Sequence, residues 1–160
     1  MRVKEIKDED FVNYKVPSMF VATCFCDFKC CRDANIPIST CQNEPIAKQL
    51  DIEISADEIL RRYQKNPITY AIVIGGLEPM LQFDEVLELV RTFRNGGCQD
   101  PIIIYTGYYE SEIVNEIGLL SQFPNIILKV GRFKPGQKPH KDELLDVMLV
   151  NDEQKAIQIS

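Results

Sequence analysis

The sequence has very little histidine: His140, within "GQKPH", is the only one among 160 residues. Its proline and lysine neighbours predict a solvated loop, where a lone histidine is a poor candidate for a general acid or base. The chain also lacks a Ser-His-Asp arrangement and a phosphate-binding glycine loop. These absences argue against hydrolase and kinase chemistry.

The chain also lacks a net positive charge and long apolar runs. The formal net charge is −6 and the pI is about 4.9, so nucleic acids and anionic membranes would not be attracted to the surface. No apolar run approaches the ~20 residues that span a bilayer. The first residues, "MRVKEIKDEDF", lack the apolar centre of a signal peptide. We therefore expect a cytoplasmic protein whose partners are small molecules or other proteins, with no nucleic acid and no membrane.

Cysteine, in contrast, is abundant and clustered. Four of the 6 cysteines lie within "CFCDFKCC", between Cys24 and Cys31, and Cys41 follows ten residues later. In the reducing cytoplasm such clusters indicate a metal site or catalysis more often than disulfides. No C-x2-C pair is present, so a structural zinc site is a weaker interpretation than an iron–sulfur cluster. Zinc and buried free cysteines remain the alternatives at this stage.

Apolar runs alternate with amphipathic segments from Ser18 onward. Strands are predicted in "SMFVAT", "TYAIVIGG", "PIIIYTG" and "NIILKVG". Helices are predicted in "SADEILRRYQK", where Ser55 and Glu58 have the spacing of a capping box, in "LQFDEVLELVRTFR" and in "SEIVNEIGLL". This order predicts a parallel α/β sheet in a single domain of residues 1–160. The cysteines and the glycine-containing turns follow strand ends, where parallel sheets bind ligands.

The segments "CDFKC", "CQN", "GGLEP", "YTGY", "GRF" and "NDEQK" resemble, in this order, segments of the activating component of anaerobic ribonucleotide reductase. That family belongs to the radical S-adenosylmethionine enzymes, in which three cysteines hold a [4Fe-4S] cluster and leave one iron open. The resemblance implies Cys26, Cys30 and Cys41 as the ligands. Ten residues separate Cys30 from Cys41 where the family has two, which we interpret as an insertion. Cys24 and Cys31 remain alternatives by spacing, and Cys98 is expected to be structural.

The other segments imply a site for S-adenosylmethionine. In the family, a Gly-Gly-Glu-Pro segment contacts the methionine part of this cofactor, which makes Gly75, Gly76 and Glu78 candidate binding residues. Glycine permits close backbone approach, and a carboxylate suits the cofactor's ammonium group. This copy of the segment carries one additional residue, Leu77. Further cofactor-binding candidates are Asn43 in "CQN" and Thr106 and Gly107 in "YTGY".

The resemblance also implies a fold, a reaction and partners. The expected fold is an incomplete (β/α) barrel of the radical S-adenosylmethionine type, with a mostly parallel sheet and flanking helices. The expected activity is reductive cleavage of S-adenosylmethionine at the cluster. This generates a glycyl radical on the large subunit of anaerobic ribonucleotide reductase, with flavodoxin or ferredoxin as electron donor. The alternatives are a radical enzyme with another peptide or small-molecule substrate, and a non-enzymatic metal-binding module.

Overall fold

The computed structural model describes all residues, 1–160. Nine strands are present: β1 (Arg2–Asp10), β2 (Ser18–Thr23), β3 (Ile52–Glu53), β4 (Ile72–Gly75), β5 (Ile102–Tyr105), β6 (Ile126–Val130), β7 (His140–Asp142), β8 (Val147–Leu149) and β9 (Lys155–Gln158). The α-helices are α1 (Lys29–Asp33), α2 (Glu44–Ala47), α3 (Ala56–Lys65), α4 (Phe83–Asn95) and α5 (Val114–Leu120). Short 3-10 helices span Ile38–Thr40, Pro79–Gln82 and Glu110–Glu112.

Seven of the strands form one mixed sheet in the order β3-β1-β2-β4-β5-β6-β9. The four central strands, β2, β4, β5 and β6, are parallel, and Ile74 of β4 pairs with both Val21 and Ile104. Both sides of this centre are antiparallel, since β1 pairs with β2 and β3, and β9 pairs with β6. The remaining strands, β7 and β8, form a separate antiparallel hairpin.

The central elements form where the sequence predicts them. β4, β5 and β6 are rich in isoleucine and valine, and nearly all their residues are buried, as expected for parallel strands covered on both faces. The start of α3 is capped by Ser55, whose hydroxyl accepts a hydrogen bond from the Glu58 N–H at 3.1 Å. None of the helices has the length and apolar character needed to cross a lipid bilayer.

The two faces of the sheet are covered differently. α3 and α4 pack on one face, where Ile59 and Phe93 belong to the larger hydrophobic core. The opposite face carries a smaller core that includes Phe20, Val73 and Ile103. That smaller core is covered by the β1–β2 loop and the β7–β8 hairpin, through Tyr14, Leu145 and Leu149. The two long helices therefore cover only one face of the sheet, and a loop and a hairpin cover the other.

The expected incomplete (β/α) barrel is wrong. The chain forms an open, mixed sheet whose antiparallel outer strands flank the parallel centre. β1 and β9 contain many charged or polar residues, so they join the sheet through pairing with their neighbours rather than through local hydrophobicity. The apolar pattern therefore missed both strands. His140 also differs from expectation, because it is half-buried in β7 instead of lying in a solvated loop.

Candidate metal centre

A cavity of about 550 Å³ lies at the carboxyl ends of the central strands, on the face with the smaller core. The loop after β2 and the turns after β4, β5 and β6 all contribute to its wall. Asn43, which precedes α2, also lines it. Four cysteines therefore line the cavity: Cys26, Cys30, Cys31 and Cys41. All the other cofactor-binding candidates except Gly75 line it too, namely Gly76, Glu78, Thr106 and Gly107.

The loop after β2 is held in place by hydrogen bonds of its backbone. Phe28 adopts a left-handed conformation, with φ of 52°, immediately before α1 begins. Its N–H donates a hydrogen bond to Sγ of Cys26 at 3.3 Å. The Glu78 N–H donates to the carbonyl of Phe25 at 2.7 Å, which ties the cysteine loop to the turn after β4. Backbone donors to cysteine sulfur are among the features that tune iron–sulfur centres.

The structure separates the cysteines into two groups. Cys24 lies outside the cavity beside Asp51, which pairs with Lys4 at 2.6 Å. Cys98 lies near Asp100, with Sγ 3.7 Å from a carboxylate oxygen, after the end of α4. Of the two alternatives that spacing leaves open, Cys31 is thus brought to the cavity and Cys24 is not.

Burial raises the pKa of three cavity thiols, those of Cys26, Cys30 and Cys31. The pKa of Cys26 is raised to about 12, chiefly by burial, although the Phe28 N–H opposes the shift. Burial also raises the pKa of Cys30, against a hydrogen bond from the Phe133 backbone, and that of Cys31. These three thiols therefore keep their protons at neutral pH without a metal, and any of them that binds a metal must release its proton.

The cavity thiols are donors of the type that holds an iron–sulfur cluster. An iron–sulfur cluster takes one thiolate per iron, so its ligands surround a larger group, and soft thiolates favour it. Gly107 keeps space beside the thiols, because a Cβ atom there would lie 2.7 Å from Sγ of Cys30. These residues therefore fit an iron–sulfur cluster.

Glu78 is fixed in the cavity wall by donors of the chain itself. Its carboxylate accepts hydrogen bonds from the Thr106 hydroxyl at 2.7 Å, the Gly107 N–H at 2.9 Å and the Met80 N–H at 3.1 Å. The residue is only 6% exposed, and burial raises its pKa although these hydrogen bonds oppose the shift. The contacts join two of the sequence-predicted segments and orient the carboxylate.

The turn after β4 accommodates its additional residue. Gly76 has φ of 77°, and a Cβ atom there would lie 2.9 Å from Cβ of Ala22, so glycine is required by both conformation and space. Leu77 is buried, and its N–H donates to the carbonyl of Gly75 at 3.0 Å. Gly75 itself lies in β4 and does not line the cavity. Glu78 nevertheless reaches the cavity wall.

Arg132, which sequence reasoning passed over within "GRF", holds the site together. Its side chain is 2% exposed and lies against the ring of Tyr108, with 5.2 Å between guanidinium and ring centroid. It donates hydrogen bonds to Asp33 of α1 at 2.8 Å, to Glu112 at 2.6 Å and to the carbonyl of Gly107. Arg132 thereby ties the helix that carries Cys30 to the loop after β5.

Lys129 is a second buried cation that sequence reasoning missed. It lies in β6, is 7% exposed and lines the cavity. Burial lowers its pKa to about 8, although the nearby Cys30 and Glu78 oppose the shift. The available signal was a single lysine inside the apolar run "NIILKVG", where the two-residue period of a strand places it on the same face as Ile127.

Residues 15–146, well over half of the chain, match the family described as 4Fe-4S single cluster domain. The match includes all four cavity cysteines and confirms the expectation of a [4Fe-4S] cluster. No protein of curated function matches the sequence. The chain therefore belongs to the family of 4Fe-4S single cluster domains.

Proposed function

We propose that the protein is a radical S-adenosylmethionine activase, formed by residues 1–160 as a single domain. Its proposed reaction generates a glycyl radical on the large subunit of anaerobic ribonucleotide reductase. The observation that carries the proposal is the common cavity, in which the clustered thiols face Gly76, Glu78 and Thr106. Segments that resemble this family but lie far apart in the sequence thus meet at one place.

Cys26, Cys30 and Cys41 are the proposed cluster ligands. When bound, the cluster supplies the electron that cleaves S-adenosylmethionine to methionine and a 5′-deoxyadenosyl radical. Flavodoxin or ferredoxin is the proposed source of that electron. The protein's own part is to hold the sulfurs, through the Phe28 N–H and the Phe133 backbone, in a cavity where they are only partly exposed.

Glu78 is the proposed partner of the cofactor's ammonium group. Its carboxylate is buried and already oriented by Thr106 and Gly107, so a cation would meet a preformed acceptor and make a charge-assisted hydrogen bond. The absence of a side chain at Gly76 lets the turn pack against Ala22, and the turn lines the cavity beside Glu78. The Thr106 hydroxyl donates its hydrogen to Glu78, so the proposed role of Thr106 is to orient this carboxylate.

The rim of the cavity supports access by a protein partner. Val12 and Met148 line the cavity and remain 73% and 61% exposed, so the rim offers apolar side chains to an incoming chain. The neighbouring segment "YYESE" is held to β9 by an ion pair of 2.6 Å between Glu110 and Lys155. A target glycine must lie against the reactive group before cleavage, which requires an opening of this kind. We propose "YYESE" and "GRFKPGQKPHK" as the docking loops.

The proposed chemistry is tested by cofactor cleavage. Anaerobically reconstituted protein is reduced with dithionite in the presence of S-adenosylmethionine, and 5′-deoxyadenosine is measured by chromatography. We expect product from the wild type and much weaker cofactor binding in Glu78→Ala. Glu88→Ala is the matched control, because Glu88 is exposed on α4 and should bind the cofactor normally. Cluster-loaded protein that neither binds nor cleaves the cofactor would favour a non-enzymatic metal-binding module.

The proposed partner is tested by radical formation. Mixing the protein with anaerobic ribonucleotide reductase, S-adenosylmethionine and a reductant should give a doublet glycyl radical signal in electron paramagnetic resonance. Cys41→Ala should give neither the radical nor cofactor cleavage. Vigorous cleavage without a radical on the reductase would replace the activase with a radical enzyme that acts on another peptide or small molecule.

A further inference from the structure

Lys129 carries a charge that no group of the protein neutralises by direct contact. The side chain is 7% exposed, and its ammonium group forms no hydrogen bond and no ion pair. The aromatic ring of Tyr105 lies beside it, with 5.9 Å between Nζ and the ring centroid. A buried cation without a counter-ion is costly, so its retention inside a strand calls for a negative group in the cavity that it faces.

The acidic groups around Lys129 do not supply this counter-ion. Glu78 is close enough to interact with it electrostatically, but no hydrogen bond or ion pair joins the two side chains, and the carboxylate is held by Thr106, Gly107 and Met80. Asp33 and Glu112 form ion pairs with Arg132, the other buried cation of the site. The remaining titratable neighbour is the thiol of Cys30, which lines the same cavity and carries negative charge only when it has lost its proton to bind a metal.

We propose that Lys129 is the counter-charge of the iron–sulfur cluster and raises its reduction potential. A cluster held by three thiolates is anionic, and reduction adds one further negative charge. A cation at fixed distance therefore stabilises the reduced form more than the oxidised form. The inference rests on the proposed ligand Cys30, but it does not depend on cofactor cleavage.

A different role for Lys129 predicts a different measurement. If the ammonium group instead received a carboxylate of the bound small molecule, its removal would weaken binding of that molecule. Removal of the ammonium group would then leave the reduction potential of the ligand-free protein unchanged. The potential measured without S-adenosylmethionine therefore separates the two roles.

The test is a redox titration of cluster-loaded protein without S-adenosylmethionine, followed by electron paramagnetic resonance. Lys129→Met should shift the equilibrium about tenfold towards the oxidised cluster, which is a potential lower by about 59 mV for one electron. Lys129→Arg keeps the charge and should stay near the wild type. Lys155→Met is the matched control, since Lys155 lies on the adjacent strand β9 but is exposed and paired with Glu110. It should leave the potential unchanged.

An unchanged potential in Lys129→Met would overturn the inference, and so would an equal shift in Lys155→Met. Should the methionine variant not retain its cluster, Lys129→Gln is titrated in its place with the same two outcomes. Because the titration contains no S-adenosylmethionine, a protein that fails to cleave this cofactor would count against the proposed function alone.

Discussion

At the scale of single residues, Gly107 limits the space beside Cys30 in the proposed cluster site. A Cβ atom at this position would lie 2.7 Å from Sγ of Cys30 and 3.5 Å from a carboxylate oxygen of Glu78. We predict that Gly107→Ala displaces Cys30 and sharply lowers the iron bound per chain after anaerobic reconstitution. The overpacking should also lower the free energy of unfolding by about 1–3 kcal/mol. Iron analysis and urea denaturation measure the two effects.

Gly118 provides the control for this substitution. It lies in α5, and a Cβ atom there would meet nothing within 4 Å. Gly118→Ala should therefore keep the full iron content and stabilise the helix by about 0.5–1 kcal/mol. Full iron content in Gly107→Ala as well would show that Cys30 does not need its present position.

The residues of the site were predictable only where they belong to short motifs. Gly76, Glu78 and Thr106 stand in segments that mark strand ends, and all three reach the cavity. Lys129 and Arg132 were not predictable in this way. Whether a lysine or arginine is buried and paired depends on elements that lie distant in the sequence, and charged residues are ordinarily exposed.

At the scale of elements, Arg132 joins three parts of the chain: α1, the loop after β5 and the 3-10 helix Glu110–Glu112. We predict that Arg132→Met lowers the free energy of unfolding by about 1–3 kcal/mol, because Asp33 and the Gly107 carbonyl lose their hydrogen bonds to the guanidinium and Glu112 keeps only Lys29. Urea denaturation measures the loss. Arg91→Met on the exposed side of α4 is the control and should have little effect. A similarly small effect of Arg132→Met would mean that the three parts are held by other contacts.

The ion pair between Arg132 and Glu112 predicts that the stability of the protein depends on pH. Burial disfavours the charge of Glu112, but hydrogen bonds from Arg132 and Lys29 outweigh it and lower the pKa of this carboxyl from 4.5 to about 2. A lowered pKa in the folded state stabilises the protein above pH 4.5, and this stabilisation is lost as the pH falls towards 2. The wild type should therefore be more stable than Glu112→Gln at neutral pH, and the difference should shrink in that acidic range. A difference that stays constant in denaturation experiments across the range would contradict this assignment.

The strands show which part of the fold local pattern can reveal. β4, β5 and β6 are apolar runs that must be buried on both faces, so the sequence alone predicts them. β1, "RVKEIKDED", is a strand because β2 and β3 pair with it, and β9 is a strand because β6 does. The closure of a sheet into a barrel depends on such pairings and on twist. The alternation of strands and helices therefore did not distinguish an open sheet from a barrel.

At the scale of the whole molecule, the proposed cluster site and the main core are separate. The larger core lies between the sheet and helices α3 and α4, whereas the cavity lies on the opposite face. Most residues between Cys26 and Leu50 are at least partly exposed and form only short helices. Removal of the cluster should therefore loosen this segment and leave the sheet folded.

Hydrogen exchange tests this separation. After the cluster is removed with a chelator, amides of residues 26–50 should exchange faster, whereas those of β4, β5 and α4 should keep their protection. A uniform loss of protection would show instead that the cluster is required for the whole fold, as in small metal-dependent domains.

The central claim is that Cys26, Cys30 and Cys41 hold a [4Fe-4S] cluster in the cavity between the strand ends. Its most direct test is the electron paramagnetic resonance signal and iron content of six single alanine variants, reconstituted and reduced under identical anaerobic conditions. We predict that alanine at Cys26, Cys30 or Cys41 abolishes the signal. Cys24→Ala, Cys31→Ala and Cys98→Ala should retain it, although Cys31 lines the same cavity. Loss of the cluster in Cys31→Ala together with its retention in Cys41→Ala would contradict the proposed ligands.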